Sequence, residues 1–177
     1  MSWTNANIEK NSSVDLKFDL NELNKVDKKY DTIICNQVLG DVKNPQFSIN
    51  ELGRTLKKNG CLILTESLLN EEHDEPNDYF RFTEYGIRQL LDDSSFEYDI
   101  EYFEKRGKYF SVAFQFLNRI LINRLDINDN SNKIVRKIFY MYLQLNTKVA
   151  LFLDSLMKHK SYESFYLGWI IVARKVQ

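Results

Sequence analysis

The chain has 177 residues, about one domain's worth, and at 44% hydrophobic and 14% aromatic it can bury a sizeable core, which excludes disordered and low-complexity architectures. Lys and Arg at 24 against Asp and Glu at 25 leave a net charge of −1, without the basic excess that wrapping nucleic acid requires. Cys35 and Cys61 each sit in an apolar run and read as small core residues of a reduced protein, with no disulfide framework and no metal-ligand spacing.

The first residues, Met1 to Asn7, lack the basic start and apolar stretch of a signal peptide, so a cytoplasmic protein is expected. The longest apolar-rich stretches, Tyr109–Asn118 and Ile138–Thr147, are interrupted by Arg119 and Lys148, short of the roughly 20 residues that span a bilayer. No transmembrane segment is expected.

Val14–Phe18 alternates apolar and polar residues and meets Asp19, the pattern of a short strand. Tyr30–Cys35 is denser and rich in β-branched residues, which predicts a strand buried on both faces in a parallel sheet. Phe47, Ile49, Leu52 and Leu56 recur at helical spacing, and Lys57-Lys58-Asn59-Gly60 reads as the end of that helix. Cys61–Thr65 follows as a second buried strand. Strand, helix and strand in this order make a βαβ unit and point to the α/β class.

The polar stretch Glu66–Arg81 is long for a connection, and in α/β proteins loops after the carboxyl end of a parallel strand hold ligand contacts. Within it Asp78 and Arg81 are spaced for an ion pair, with Tyr79, Phe80 and Phe82 as core plugs. Thr83 can cap a helix carrying Tyr85, Ile87, Leu90 and Leu91. Phe96–Phe103 alternates as a strand. Two helices follow, Tyr109–Leu125 and Ile134–Lys158, joined by the Asx-rich segment Asp126–Asn132 and expected to pack as an antiparallel pair. Phe165–Lys175 reads as the last strand. With no internal repeat and no linker, the chain reads as one domain, 1–177, with residues 109–158 as a helical insertion.

Asp31-Thr32-Ile33-Ile34-Cys35-Asn36-Gln37-Val38-Leu39, followed by Glu51-Leu52-Gly53-Arg54-Thr55-Leu56-Lys57-Lys58-Asn59-Gly60-Cys61-Leu62-Ile63-Leu64, resembles the centre of class I S-adenosylmethionine-dependent methyltransferases. There a strand reading "fDtIic" leads to a "VLEHV" turn, and a helix ending "RvLKpGG" leads to the next strand. His73 and Pro76-Asn77-Asp78-Tyr79-Phe80-Arg81-Phe82-Thr83 are similar to the "H-x-x-P-x-D-Y-x-R-[FY]-T" segment of a subgroup. The resemblance implies an α/β, Rossmann-like, mostly parallel sheet with a helical hairpin before the last strand.

The departures are specific. None of the six glycines makes a G-x-G, so the cofactor loop is not in this sequence, and by alignment Asn5–Ile8 falls on the family's second strand. The sheet is therefore expected to lack its first, central strand. A truncated gene product, a rearranged sheet in which Val14–Phe18 pairs next to Tyr30–Cys35, and completion by another chain are the three readings, with self-association through unpaired strand edges as a consequence. Gly40-Asp41-Val42 replaces Glu-His-Val, and Asn7 stands where the family carries an acid for the ribose hydroxyls.

What the resemblance implies for function is methyl transfer from S-adenosylmethionine to an unidentified small or lipid-like acceptor, with no metal. The alternative is a non-catalytic remnant that binds a partner. The cofactor contacts carried over are Asn7, Asp19, Leu20, Asn36 and Gln37; Asp19 also reads as a helix cap, and Asn36 and Gln37 as a polar turn. His73 is the catalytic candidate, against a reading as a solvated loop histidine whose acidic neighbours Glu71, Glu72, Asp74 and Glu75 favour its charged form. His159, between two lysines, reads as a surface residue. The aromatic helices suggest burial, or else an apolar lid or peripheral membrane contact helped by Lys133, Arg136 and Lys137.

Overall fold

The computed structural model describes residues 2–8, 12–22, 26–125, 131–158 and 163–176. In chain order the elements are β1 (Ala6–Asn7), β2 (Leu16–Lys17), β3 (Tyr30–Asn36), a 3₁₀ turn (Leu39–Asp41), α1 (Pro45–Thr55), β4 (Leu56–Ser67), α2 (Glu84–Asp92), β5 (Tyr98–Arg106), α3 (Tyr109–Leu125), α4 (Lys133–Leu156) and β6 (Gly168–Lys175). They form two compact units: residues 1–104 with 169–177, and residues 105–168. His159 and most of the Asx-rich turn, residues 126–130, lie outside the described residues.

In the first unit β1 and β2 pair in parallel as a small sheet of their own. The larger sheet has the order β3-β4-β6-β5, with β3 and β4 parallel and Asn36 opposite Thr65. Backbone bonds from Val176 N–H to Glu97 C=O and from Leu167 N–H to Arg106 C=O make β5 and β6 antiparallel, so the sheet is partly parallel rather than mostly so. β2 does not pair next to β3, which rules out the rearranged sheet. β3 is instead the end strand, and Ile34 is 52% exposed, against the expectation of burial on both faces. An apolar run is shared by buried and edge strands; which one it becomes depends on whether a neighbour pairs with its free side.

α1 begins at Pro45, with the Asn44 side chain accepting the Phe47 N–H at 3.1 Å, and ends at Thr55. Lys57, Lys58 and Gly60, expected in its last turn and stop, belong to β4, because Leu56 already has extended backbone and pairs with Tyr30. Asn59 takes the left-handed conformation there. Alternate residues of β4 and β6 point into the core: Leu62, Leu64, Trp169, Ile171 and Ala173 pack with Ile49 of α1 and Ile87 of α2, all at most 2% exposed. Trp169 Nε1–H donates to Phe82 C=O at 2.7 Å. Lys175 ends the buried side of β6 by donating to the carbonyls of Gly53 and Leu56, at the carboxyl end of α1, where a cation is favoured.

Thr83 Oγ1 accepts the Gly86 N–H and caps α2 as predicted. Tyr79 and Phe80 are 40% and 39% exposed, so they are not core plugs. The second unit is an antiparallel helix pair, as expected: Asn146 donates to Asn118 at 2.9 Å, and Asp154 near the end of α4 meets the start of α3. Asp154 accepts the N–H groups of Lys108, Phe110 and Ser111 at 2.9, 2.9 and 3.1 Å.

Candidate functional site

Two polar features lie in the first unit. One is a cleft of about 520 Å³ between the small β1-β2 sheet and the free side of β3. Consecutive residues line both walls, Asn5 to Ile8 on one and Thr32 to Asn36 on the other. Side chains on one face of a strand recur at every second position, so a wall of consecutive residues is a strand edge, with backbone groups turned to the space. Leu16, Phe18 and Leu20 add an apolar floor.

The other feature is built where β3 and β4 end. Gln37 leaves β3 in the left-handed conformation, with its N–H on Thr65 C=O at 2.8 Å. The next amides, Val38 and Leu39, donate to Glu66 Oε1 at 2.9 and 2.7 Å, so a carboxylate from the end of β4 caps the 3₁₀ turn. Burial pushes Glu66 up to about 7, although the Leu39, Val38 and Gly40 amides pull the other way. Gly40 C=O then accepts the N–H groups of both Tyr79 and Phe80 at 2.9 Å, drawing the post-β4 loop onto the post-β3 turn. A Cβ on Gly40 would stand 3.0 Å from Phe80 C=O, so the close approach favours glycine.

This junction places Asp41, His73 and Asp78 with their ligating atoms within 4.8 Å of one another. Asp78, with a side chain 5% exposed, accepts the His73 N–H and Nδ1–H, each at 3.0 Å. Arg81 grips it with both terminal guanidinium nitrogens, Nη2 at 2.7 Å from Oδ2. The Arg81 guanidinium holds the Asp78 carboxyl far below the usual carboxylate range. The Asp78 hydrogen bond raises His73, against a smaller opposing effect of burial, and burial raises Asp41. The spacing of the three would suit a divalent cation, but both Asp78 oxygens are already engaged by Arg81 and His73. Chemically the cluster is an imidazole held at Nδ1 by a carboxylate, with Nε2 as its remaining proton-transfer atom.

Asn7, Leu20 and Asn36 line the cleft together. Asp19 and Gln37 are not among its lining residues; Asp19 Oδ1 accepts the Asn21 N–H at 2.8 Å in a local turn. His73 belongs to the second feature. Glu66 and Asp41 are site residues that the sequence motifs do not mark. The available signal was a lone acid ending the apolar run of β4, which is costly to bury unless backbone donors meet it.

A family profile described as a methyltransferase domain matches residues 4–136. The chain belongs to the class I S-adenosylmethionine-dependent methyltransferase family. No curated protein matches its sequence. Its fold is similar to that of solved methyltransferases. One is a protein assigned as a sarcosine dimethylglycine methyltransferase from Galdieria sulphuraria, with a TM-score of 0.53 at 13% identity over 93% of this chain and 60% of that one. Another is a protein assigned as a methyltransferase from Bacillus halodurans, with a TM-score of 0.51 at 14% identity over 94% and 73%. This chain thus spans about 60% of the length of the first of these. The cleft runs along the free edge of β3 as far as Asn36, and the junction lies where the loops after β3 and β4 begin.

Proposed function

We propose that the chain serves methyl transfer from S-adenosylmethionine to a small or lipid-like acceptor, with the cofactor in the cleft along β3 and His73 as the group that takes the acceptor's proton. Family membership supports the reaction class. The observation that carries the assignment is the tie between the two loops: Asn36 ends β3, His73 follows β4, and Gly40 and Glu66 bind the intervening turns together. About 520 Å³ with an apolar floor of Leu16, Phe18 and Leu20 suits a nucleoside-sized ligand, and Asn7 and Asn36 offer its polar contacts. No acid lines the cleft among the described residues, so a ribose would meet Asn7 rather than a carboxylate.

When bound, S-adenosylmethionine supplies an electrophilic methyl group on sulfur. The residues of the chain hold and orient the acceptor for an in-line approach, which provides most of what such a displacement needs. Asp78, anchored by Arg81, orients the imidazole through Nδ1, so that neutral His73 can take the acceptor's proton at Nε2; the methyl group would pass to the acceptor's lone pair as its bond to sulfur breaks, with S-adenosylhomocysteine leaving.

A second reading, a non-catalytic partner-binding protein, is favoured by the open edge of β3, which offers backbone pairing to another strand. Calorimetric titration with S-adenosylmethionine, with S-adenosylhomocysteine as competitor, separates the two. Saturable one-to-one binding that the competitor displaces supports the methyl-transfer reading. No heat up to about 10 mM, which makes any binding free energy less favourable than roughly −3 kcal/mol, supports the second.

A further inference from the structure

The helix pair of the second unit has an apolar face that no described residue covers. On α4, Ile134, Ile138, Met141, Leu145, Phe152 and Leu156 are each about 60% exposed or more, from 59% at Leu145 to 69% at Ile134. Their steps of three, four and seven keep them on one stripe, with Val149 filling the gap, over about 33 Å at the usual rise per residue. The stripe carrying Phe139, Leu143, Asn146 and Ala150 is the less exposed one, and it meets α3 through Asn146 and Asn118. The apolar stripe lies well around the helix from that contact. α3 repeats the pattern with Phe116, Leu117 and Ile120 exposed.

The charges on these two helices are almost all basic. Arg119 and Arg124 lie on α3, and Lys133, Arg136, Lys137 and Lys148 on α4; the one acid in either helix is Asp154, which is buried on the amides of Lys108, Phe110 and Ser111. Asp126 and Asp129 lie in the connecting segment, outside the described residues. Lys133, Lys137 and Lys148 fall along one shoulder of the apolar stripe at about 100° per residue. Two copies of α4 packed antiparallel along this stripe would set those lysines beside each other, and in either orientation neither shoulder offers an acid to pair with them, the reverse of what specifies a helix seam. No described helix is long and apolar enough to cross a membrane.

We propose that the α3–α4 pair docks in the plane of an anionic lipid surface, with the stripe from Ile134 to Leu156 inserted at the acyl boundary and the lysines at the headgroups. The inference stands on this unit alone and does not depend on the methyl-transfer reading.

Flotation of the full chain with vesicles of phosphatidylcholine alone, or with 30% phosphatidylglycerol, tests it. The expected result is at least about tenfold greater partition onto the anionic vesicles, largely lost in 0.5 M salt. Lys137→Gln and Lys148→Gln should each lower partition roughly fivefold. Leu145→Glu with Phe152→Glu should abolish it while the far-ultraviolet circular dichroism stays unchanged, since both side chains are exposed. Equal partition onto both vesicle types, or binding that survives the double glutamate variant, overturns the proposal. So does sedimentation velocity showing a dimer that this variant dissociates without any vesicle binding, which would make the face a contact between copies.

Discussion

Glu66 couples the 3₁₀ turn after β3 to protonation. Its carboxyl has an ordinary value of 4.5 and is raised by burial to about 7, so the folded chain binds this proton more tightly than the unfolded one. The stabilising contribution is complete below about 4.5 and is lost as pH rises through about 7, a swing of about 3 kcal/mol. Glu66→Gln keeps an oxygen for the Val38 and Leu39 amides and removes the titration. The variant should match the parent near pH 4.5 and exceed it in stability at pH 8, as read from urea denaturation at both values. For His73 the sign is the same, since its folded pKa is raised: the contribution is present below its ordinary 6.5 and fades as pH climbs through the folded value. Asp78→Asn removes the cause, and the His73 ring resonances should then titrate at lower pH by NMR; an unchanged midpoint would mean that Asp78 does not orient this imidazole. At this scale the His73, Asp78 and Arg81 cluster was partly legible, because the Asp78–Arg81 spacing announced an ion pair. That Asp78 is shared with His73 was not, because Asp74 enters a turn with positive φ and the fold of the loop brings position 73 back onto 78.

Among the elements, α3 depends on a residue far from it in sequence. Burial alone would raise Asp154, but the bonds it accepts from Ser111, Lys108 and Phe110 outweigh that and hold it below the usual carboxylate value. They also satisfy N–H groups at the start of α3 that lack helical partners. Asp154→Ala should therefore destabilise the helix pair by about 3 kcal/mol, since bonds to a charged acceptor are lost and buried donors are left unpaired. Hydrogen exchange of the Phe110 and Ser111 amides is the measurement, with faster exchange confined to residues 105–168 expected. Tyr109–Leu125 was readable to the residue from its apolar density, whereas the end of α1 was not. Lys57-Lys58-Asn59-Gly60 has the composition of a helix stop, but the backbone turns extended at Leu56 because the ladder with Tyr30 and a core position for Leu56 are both available there.

At the scale of the molecule, cofactor affinity follows from the contacts the chain offers. The sequence holds no glycine-rich turn to bring backbone N–H groups to the ligand, and Asn7 offers no charge to the ribose hydroxyls. Each charged hydrogen bond lost costs roughly 1.5–3 kcal/mol, so a micromolar site would become millimolar. Calorimetry on the 177-residue chain should accordingly give saturable binding of S-adenosylmethionine with a dissociation constant of about 1 mM. Micromolar one-to-one binding would show that the cleft supplies contacts that replace them.

The α/β class, the order of strands and helices, the Thr83 cap and the methyltransferase resemblance follow from local signals: periodicity, turn residues and motif order are written within a few residues of where they act. The edge position of β3, the separate β1-β2 sheet, the partly parallel pairing and the Glu66 cap were decided only by tertiary structure. Each depends on which distant segment stands beside a strand or takes up a buried polar group, and an apolar run or a lone acid reads the same whichever neighbour arrives.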